Sequence, residues 1–162
     1  MASTPQPGKR VAVIGASGYG GLQTLRLLEG HPELGVTFLG GERSSGKRWS
    51  ELTPFLPLPG DPVVQTPDPD AIAAAADLAV LSLPNGLAAQ LVPSLLERGV
   101  KVVDLSADYR YRSLAQWQEV YAAEARQVPR SDADLCSEAV YGLVEWEEAR
   151  LREARLVAAP GC

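Results

Sequence analysis

Arg10-Val11-Ala12-Val13-Ile14-Gly15-Ala16-Ser17-Gly18-Tyr19-Gly20-Gly21 carries more structural information than any other stretch of this chain. Its apolar opening, Arg10 to Ile14, predicts a buried strand. The chain then turns at Gly15. A helix follows with Leu22, Leu25 and Leu28 on one face, ended by Gly30 and then Pro32. A strand, a glycine turn and a helix in that order open a parallel α/β sheet.

The rest of the chain repeats this alternation. Val36–Leu39, Leu78–Leu83, Val100–Leu105 and Leu156–Ala159 read as strands, with a weaker one at Val63–Gln65. Residues 43–62, rich in Ser, Gly and Pro, predict a long irregular connection. Asp70 is placed to cap a short alanine-rich helix reaching Ala76. Pro93 predicts a kink or a late start in the helix Leu87–Glu97. Ser113 with Gln116 forms a capping box for a helix carrying Leu114, Trp117 and Tyr121, and another helix is expected over Glu145–Ala154. The fold expected is one doubly wound, mostly parallel Rossmann-type α/β domain over residues 9–162, preceded by a loose tail at 1–8. Trp117, Trp146 and Tyr121 are expected to pack helices on the sheet.

At 162 residues the chain can bury a core of its own. Hydrophobic residues make up 46% and charged residues 22%, the balance of a globular domain. A net charge of −5 without a basic stripe argues against nucleic-acid binding. No apolar run is long enough to span a bilayer, and the amino end lacks the apolar centre of a signal peptide, so the expected location is the cytoplasm. Two cysteines, Cys136 and Cys162, fit a reducing compartment rather than a disulfide scaffold. Cys136 has no ligand-spaced partner and reads as a spare thiol; no metal site is suggested.

Gly15, Gly18 and Gly21 form a G-x-x-G-x-x-G series, a variant of the dinucleotide fingerprint. The first glycine permits the turn, the second a close approach to a pyrophosphate, and the third helix–strand packing. Gly15, Ala16, Ser17, Gly18, Tyr19, Gly20 and Gly21 are therefore candidate cofactor contacts at a helix N-terminus. After the second strand, Arg43, Ser44 and Ser45 offer a cation and hydroxyls to a ribose 2′-phosphate, which favours NADP. Glu42 offers an acceptor to a free 2′-hydroxyl, which favours NAD; the reading taken is NADP. Asn85 and Gly86 follow the strand at Leu78–Leu83 and are expected to border the nicotinamide or its ribose. The ending Leu156–Cys162 reads as a strand feeding a Pro-Gly turn that presents a thiol, a suitable setting for a nucleophile.

Four segments together resemble the N-acetyl-γ-glutamyl-phosphate reductases, acyl-phosphate reductases of arginine biosynthesis. They are Gly15–Gly21, Asp104-Leu105-Ser106-Ala107-Asp108-Tyr109-Arg110, Val140-Tyr141-Gly142-Leu143 and Pro160-Gly161-Cys162. The resemblance implies an NADP site at the glycine loop and a nucleophile at Cys162. It also implies a second α+β domain after that cysteine, carrying the catalytic histidine, substrate contacts and most of a homo-oligomer interface. Asn85 stands where the family often has histidine, and Glu42 where a small hydroxyl residue commonly precedes the arginine. Carrier-bound aminoadipyl-phosphate reductases usually have Ala-Gly-Cys, so Pro160 favours the arginine enzyme. Other readings are an aspartate-type semialdehyde dehydrogenase or a stand-alone nucleotide-binding regulatory module.

In the implied reaction a thiolate attacks an acyl phosphate, phosphate leaves, the thioester is reduced by NADPH, and the aldehyde departs. A free thiol of pKa about 8.5 is mostly protonated at neutral pH. The sole histidine, His31, lies between the first helix and the second strand, away from the edge where ligands bind, and is expected to be a helix-end cation or a solvated residue. A carboxylate on Cys162 itself would raise its thiol further. These residues alone are therefore expected to bind cofactor without reducing an acyl phosphate. Ser106 and Arg110 are weaker candidates for substrate contact, Arg110 either through a substrate carboxylate or phosphate or, alternatively, in a surface salt bridge with Asp108 or Glu119.

Overall fold

Apolar runs without polar alternation must be covered on both faces, and Val11–Ile14, all fully buried, are. A computed structural model of the chain describes residues 8–121 and 129–161. The elements run β1 (Lys9–Ile14), α1 (Tyr19–Leu28), β2 (Leu34–Gly40), α2 (Trp49–Leu52), α3 (Pro69–Ala75), β3 (Leu78–Leu81) and α4 (Ala88–Glu97). They continue with β4 (Lys101–Asp104), α5 (Leu114–Tyr121), α6 (Ala133–Glu138), β5 (Val140–Tyr141), α7 (Val144–Glu153) and β6 (Leu156–Ala158).

The six strands form one sheet in the order β2-β1-β3-β4-β6-β5, every pairing parallel. Alternation along β1 divides the core. Val11 and Val13 face a layer with Leu25 of α1, Trp49 and Leu56. Ala12 and Ile14 face the opposite layer, with Ile72 of α3 and Val92 and Leu95 of α4. Sheet order reverses between β1 and β3, so the carboxyl end of β1 lies at the switch point where such sheets open a crevice.

Local chemistry modifies several expectations. The cap of α3 is Asp68, whose carboxylate accepts the Ala71 N–H at 2.9 Å. Pro69 takes the first helical position, where a missing N–H costs nothing, and this moves the start ahead of Asp70. Asp70 instead pairs with Arg98 at 2.6 Å. Val63–Gln65 makes only isolated bridges, Gly40 to Gln65 and Arg48 to Val63. The irregular connection contains the short α2, anchored by fully buried Trp49, whose indole N–H donates to Leu56 O at 2.7 Å. Pro93 sits inside α4 without breaking it, because Val92, Leu95 and Leu96 hold the helix to the sheet.

Ser113 Oγ accepts the Gln116 N–H at 3.5 Å, completing one arm of the expected box. Trp117 is buried and Tyr121 lies near Tyr111, their ring centroids 6.1 Å apart. Trp146 does not pack on the sheet. It is 85% exposed on α7, a helix in which no residue is buried. Residues 1–7 of the expected tail lie outside the described residues, as does Cys162. Among the described residues, no helix is long and apolar enough to cross a membrane.

Candidate functional site

Because all strands are parallel, their carboxyl ends share one edge, and the loops leaving that edge contain almost every candidate residue. The turn after β1 is clamped from its neighbour: Gly15 and Ala16 N–H groups both donate to Gly40 O, at 2.8 and 3.2 Å. Gly15 has φ of 80°, and a Cβ there would lie 2.0 Å from the Ser82 carbonyl oxygen. That position excludes any other residue by backbone conformation and by contact.

Gly20 and Gly21 divide the packing role expected of the third glycine. A Cβ on Gly20 would lie 2.5 Å from Ser82 Oγ, so helix-to-strand closeness is set there. A Cβ on Gly21 would strike Gly15 O at 2.3 Å, within the turn itself. At Gly18 a Cβ would meet only Gly15 O, at 3.3 Å, leaving bare backbone outward. No side chain caps α1, and the Tyr19, Gly20 and Gly21 N–H groups have no backbone acceptor among the described residues. Oriented free donors on a glycine cradle fit a dinucleotide pyrophosphate. Tyr19 beside them is 93% exposed.

The loop after β2 separates the three residues read as 2′-phosphate contacts. Arg43 is exposed and makes no ion pair among the described residues. Ser45 is exposed, with Oγ 2.9 Å from Thr66 Oγ1. Ser44 is buried and folds back over Gly41, where a Cβ would meet Ser44 Oγ at 2.4 Å.

The loops after β3 and β4 interlock. Asn85 Oδ1 accepts the Ala107 N–H at 3.0 Å. Asp108 accepts the N–H groups of Gly86 at 2.7 Å and Ala89 at 3.1 Å, capping α4 from another loop. Ser106 is buried; its hydroxyl donates to Asp104 Oδ2 at 2.8 Å and accepts the Asp108 N–H at 3.1 Å. A substrate contact from Ser106 would have to displace one of these. Burial pushes the Asp104 carboxyl up to about 7 against the Ser106 hydrogen bonds, and burial also raises Asp108 against the two N–H groups it accepts.

Arg110 makes neither of the salt bridges considered for it. Its Nε donates to Ala159 O at 2.9 Å and one terminal nitrogen to Leu105 O at 3.1 Å. His31 lies at the opposite sheet edge, where its Nδ1 accepts the Glu33 and Leu34 N–H groups, each at 3.1 Å. The residue is exposed in the α1–β2 connection, as expected of a solvated residue.

Ser82 and Arg130 went unremarked in the sequence. Ser82 follows β3 on the apolar run and became visible only as the surface against which Gly15 and Gly20 pack. Arg130 is buried with its guanidinium on both Asp132 oxygens, at 3.0 and 2.9 Å, and on Asp108 O at 2.9 Å. It lies 4.3 Å from the Trp117 ring centroid and 5.2 Å from that of Tyr109. Burial pushes Asp132 up, but Arg130 outweighs it and leaves that carboxyl below its ordinary value. Buried Cys136 sits in the same cluster, 3.4 Å from the guanidinium.

Comparison with known proteins agrees with this geometry. The chain is 71% identical over 153 residues to the N-acetyl-gamma-glutamyl-phosphate reductase of Parasynechococcus marenigrum (strain WH8102), and 70% identical over 155 residues to that of Synechococcus sp. (strain CC9605). These matches cover 94% and 96% of the chain but 43% of each relative, so the chain spans under half their length. The fold resembles aspartate semialdehyde dehydrogenase II of Vibrio cholerae (TM-score 0.61, 23% identity, 97% of this chain and 42% of that one). It is equally close to the Candida albicans aspartate semialdehyde dehydrogenase solved with NADP (TM-score 0.61, 21% identity, 93% of this chain and 42% of that one). The family described as semialdehyde dehydrogenase, NAD binding domain, matches residues 10–154, and with the glycine cradle at the sheet's switch point this places the chain in that family.

Proposed function

We propose that this chain is the NADP-binding part of a cytoplasmic reductase that converts N-acetyl-glutamyl 5-phosphate to N-acetyl-glutamate 5-semialdehyde in arginine biosynthesis. One observation carries the reading: the glycine cradle, Asn85, Gly86 and the turn leading into Cys162 leave the same sheet edge in a chain 71% identical to such a reductase. Bound NADPH supplies the hydride. Tyr19, Gly20 and Gly21 N–H groups hold its pyrophosphate, Arg43 and Ser45 hold the 2′-phosphate, and Ser44 shapes that loop from beneath. Gly15, Ala16, Ser17 and Gly18 form the cradle, while Asn85 and Gly86 border the nicotinamide end.

Cys162 is the nucleophile. Its thiolate attacks the acyl carbon, the C–O bond to phosphate breaks, and a thioester holds the acyl group until reduction releases the aldehyde. The only histidine of the 162 residues is at the far edge, its Nδ1 occupied, so no histidine among the described residues serves Cys162 as a base. The 162-residue chain therefore binds NADPH without sustained acyl-phosphate reduction. Titration with NADPH and NADH followed by nicotinamide fluorescence tests this: binding of neither nucleotide overturns the cofactor assignment. Turnover at the rate of an intact reductase overturns the inactivity.

A further inference from the structure

Two helix amino ends reach the edge where the glycine cradle opens, and they differ in how they are capped. α1 begins bare, with no side-chain cap. α4 begins under a carboxylate from another loop, since its own N-cap residue, Leu87, has no polar side chain to offer. Asp108, fully buried in the loop after β4, accepts the Gly86 N–H on Oδ1 at 2.7 Å and the Ala89 N–H on Oδ2 at 3.1 Å. Both oxygens therefore hold the connection between β3 and α4. Asp108 is itself fastened on either side: its N–H donates to Ser106 Oγ at 3.1 Å, and its carbonyl accepts from Arg130 at 2.9 Å. Gly86 has φ of 89°, in the left-handed region, so the chain turns sharply at the point Asp108 holds. The other end of the same connection lies on the cradle. Ser82 N–H donates to Ile14 O at 2.8 Å, and Gly15 and Gly20 pack on Ser82.

We propose that Asp108 is a positioning residue for the nicotinamide half of the cofactor, fixing Gly86 and the first turn of α4 at a set distance from the glycine cradle. This rests on the reading of Asn85 and Gly86 as the border of the nicotinamide end. A dinucleotide is gripped at two separated places, so the gap between them must match its length. The cradle after β1 is one place, and the Ser82–Leu87 connection is the other. Beyond Ser82 the connection's own turn is a Leu87 N–H to Pro84 O contact at 3.2 Å, longer than the Gly86 bond to Asp108. Both Asp108 oxygens accept, the arrangement of a carboxylate, and such bonds are stronger than those to a neutral carbonyl. Asn85 adds to the clasp, its Oδ1 accepting the Ala107 N–H at 3.0 Å from the same β4 loop. A loop fixed in this way loses less conformational entropy when ligand arrives. The carboxylate also occupies the amino end of α4, which leaves the bare end of α1 to the pyrophosphate.

The test is a pair of calorimetric titrations on each protein. One uses NADPH; the other uses adenosine 2′-phosphate 5′-diphosphate, which keeps both bridging phosphates and lacks the nicotinamide riboside. Far-UV circular dichroism confirms the fold of each variant. Asp108→Asn, which keeps one acceptor, should weaken NADPH binding about tenfold and leave the shorter ligand within about twofold of the parent. Ser106→Ala removes the acceptor of the Asp108 N–H. It should weaken NADPH binding about threefold with the same split, and it decides the matter if Asp108→Asn fails to fold. The fluorescence anisotropy of saturating bound NADPH should fall in both variants, because the dihydronicotinamide ring is held less firmly. A cap with a structural role alone predicts equal loss for the two ligands. Equal loss, or unchanged NADPH binding in a folded variant, overturns the proposal. The parent tests the underlying reading separately. If it binds neither ligand, the cofactor assignment is wrong; if it binds both equally, Asn85 and Gly86 do not border the nicotinamide. Either result overturns the proposal without any variant.

Discussion

Asp108 reaches across 22 residues of sequence to accept the Gly86 N–H at 2.7 Å, fastening the loop after β4 to the start of α4. The same carboxylate takes the Ala89 N–H at 3.1 Å, so one side chain caps a helix to which it is not locally connected. Asp108→Ala would leave the buried Gly86 and half-buried Ala89 donors without a partner and should cost about 2–3 kcal/mol. Asp108→Asn keeps one acceptor and should cost less. Urea unfolding of the three proteins checks the ranking.

Gly20→Ala places a methyl group 2.5 Å from Ser82 Oγ, a movable side-chain atom. The expected destabilisation is about 1–3 kcal/mol. Ser82→Ala in the same chain should recover most of it, because the contact atom is then gone. Gly15→Ala meets the Ser82 carbonyl at 2.0 Å with φ of 80°, and Ser82→Ala should not rescue it. Melting temperatures of the single and double variants separate the two cases.

Arg130→Met leaves Asp132 buried without its partner, and about 3–5 kcal/mol should be lost. Adding Asp132→Leu removes the stranded charge, so the double variant should be more stable than Arg130→Met alone. Arg130→Lys should also be damaging, since an ammonium cannot hold both carboxylate oxygens in a fork and stack its plane over the Trp117 and Tyr109 rings. Chemical denaturation of these variants decides the order.

Asp104 gives folding stability a definite pH dependence. Its folded pKa, about 7, lies above the ordinary 3.8, so the folded chain holds a proton there that the unfolded chain releases first. Stability from this group is therefore greatest below the ordinary value and falls as pH rises from about 4 to 7. Asp108 is shifted in the same direction and adds to the slope. Asp104→Asn should flatten the dependence without removing it, measured as the urea midpoint at pH 5 and pH 7.

Arg43→Ser should weaken NADPH binding about tenfold while changing NADH affinity little, if the exposed guanidinium faces a 2′-phosphate. Equal loss for both nucleotides would assign Arg43 to the loop's shape. Parallel titrations with the two nucleotides distinguish these outcomes.

The parallel α/β architecture was legible from residues 10–21 and from the apolar runs, because burial on both faces leaves an unbroken signature. The glycine loop was legible for the same local reason, as its φ and contact requirements lie within a few residues. Trp146 and Asp70 misled because aromatic content and capping type do not say which neighbours arrive. Solvent surrounds Trp146 on α7, and Pro69 gave the cap to Asp68.

Arg110, Asp108 and Arg130 show where local reading ends. Their residue types announced charge, and substrate contact or a surface salt bridge was the natural expectation for Arg110. Its partners are carbonyl groups five and 49 residues away, which sequence spacing does not encode. Local periodicity and turn chemistry sufficed for the strand order of events along the chain, since each depends on neighbours a few residues apart. The pairing of buried charges depended on the assembled sheet, because desolvation and hydrogen-bond geometry exist only once distant loops meet at one edge.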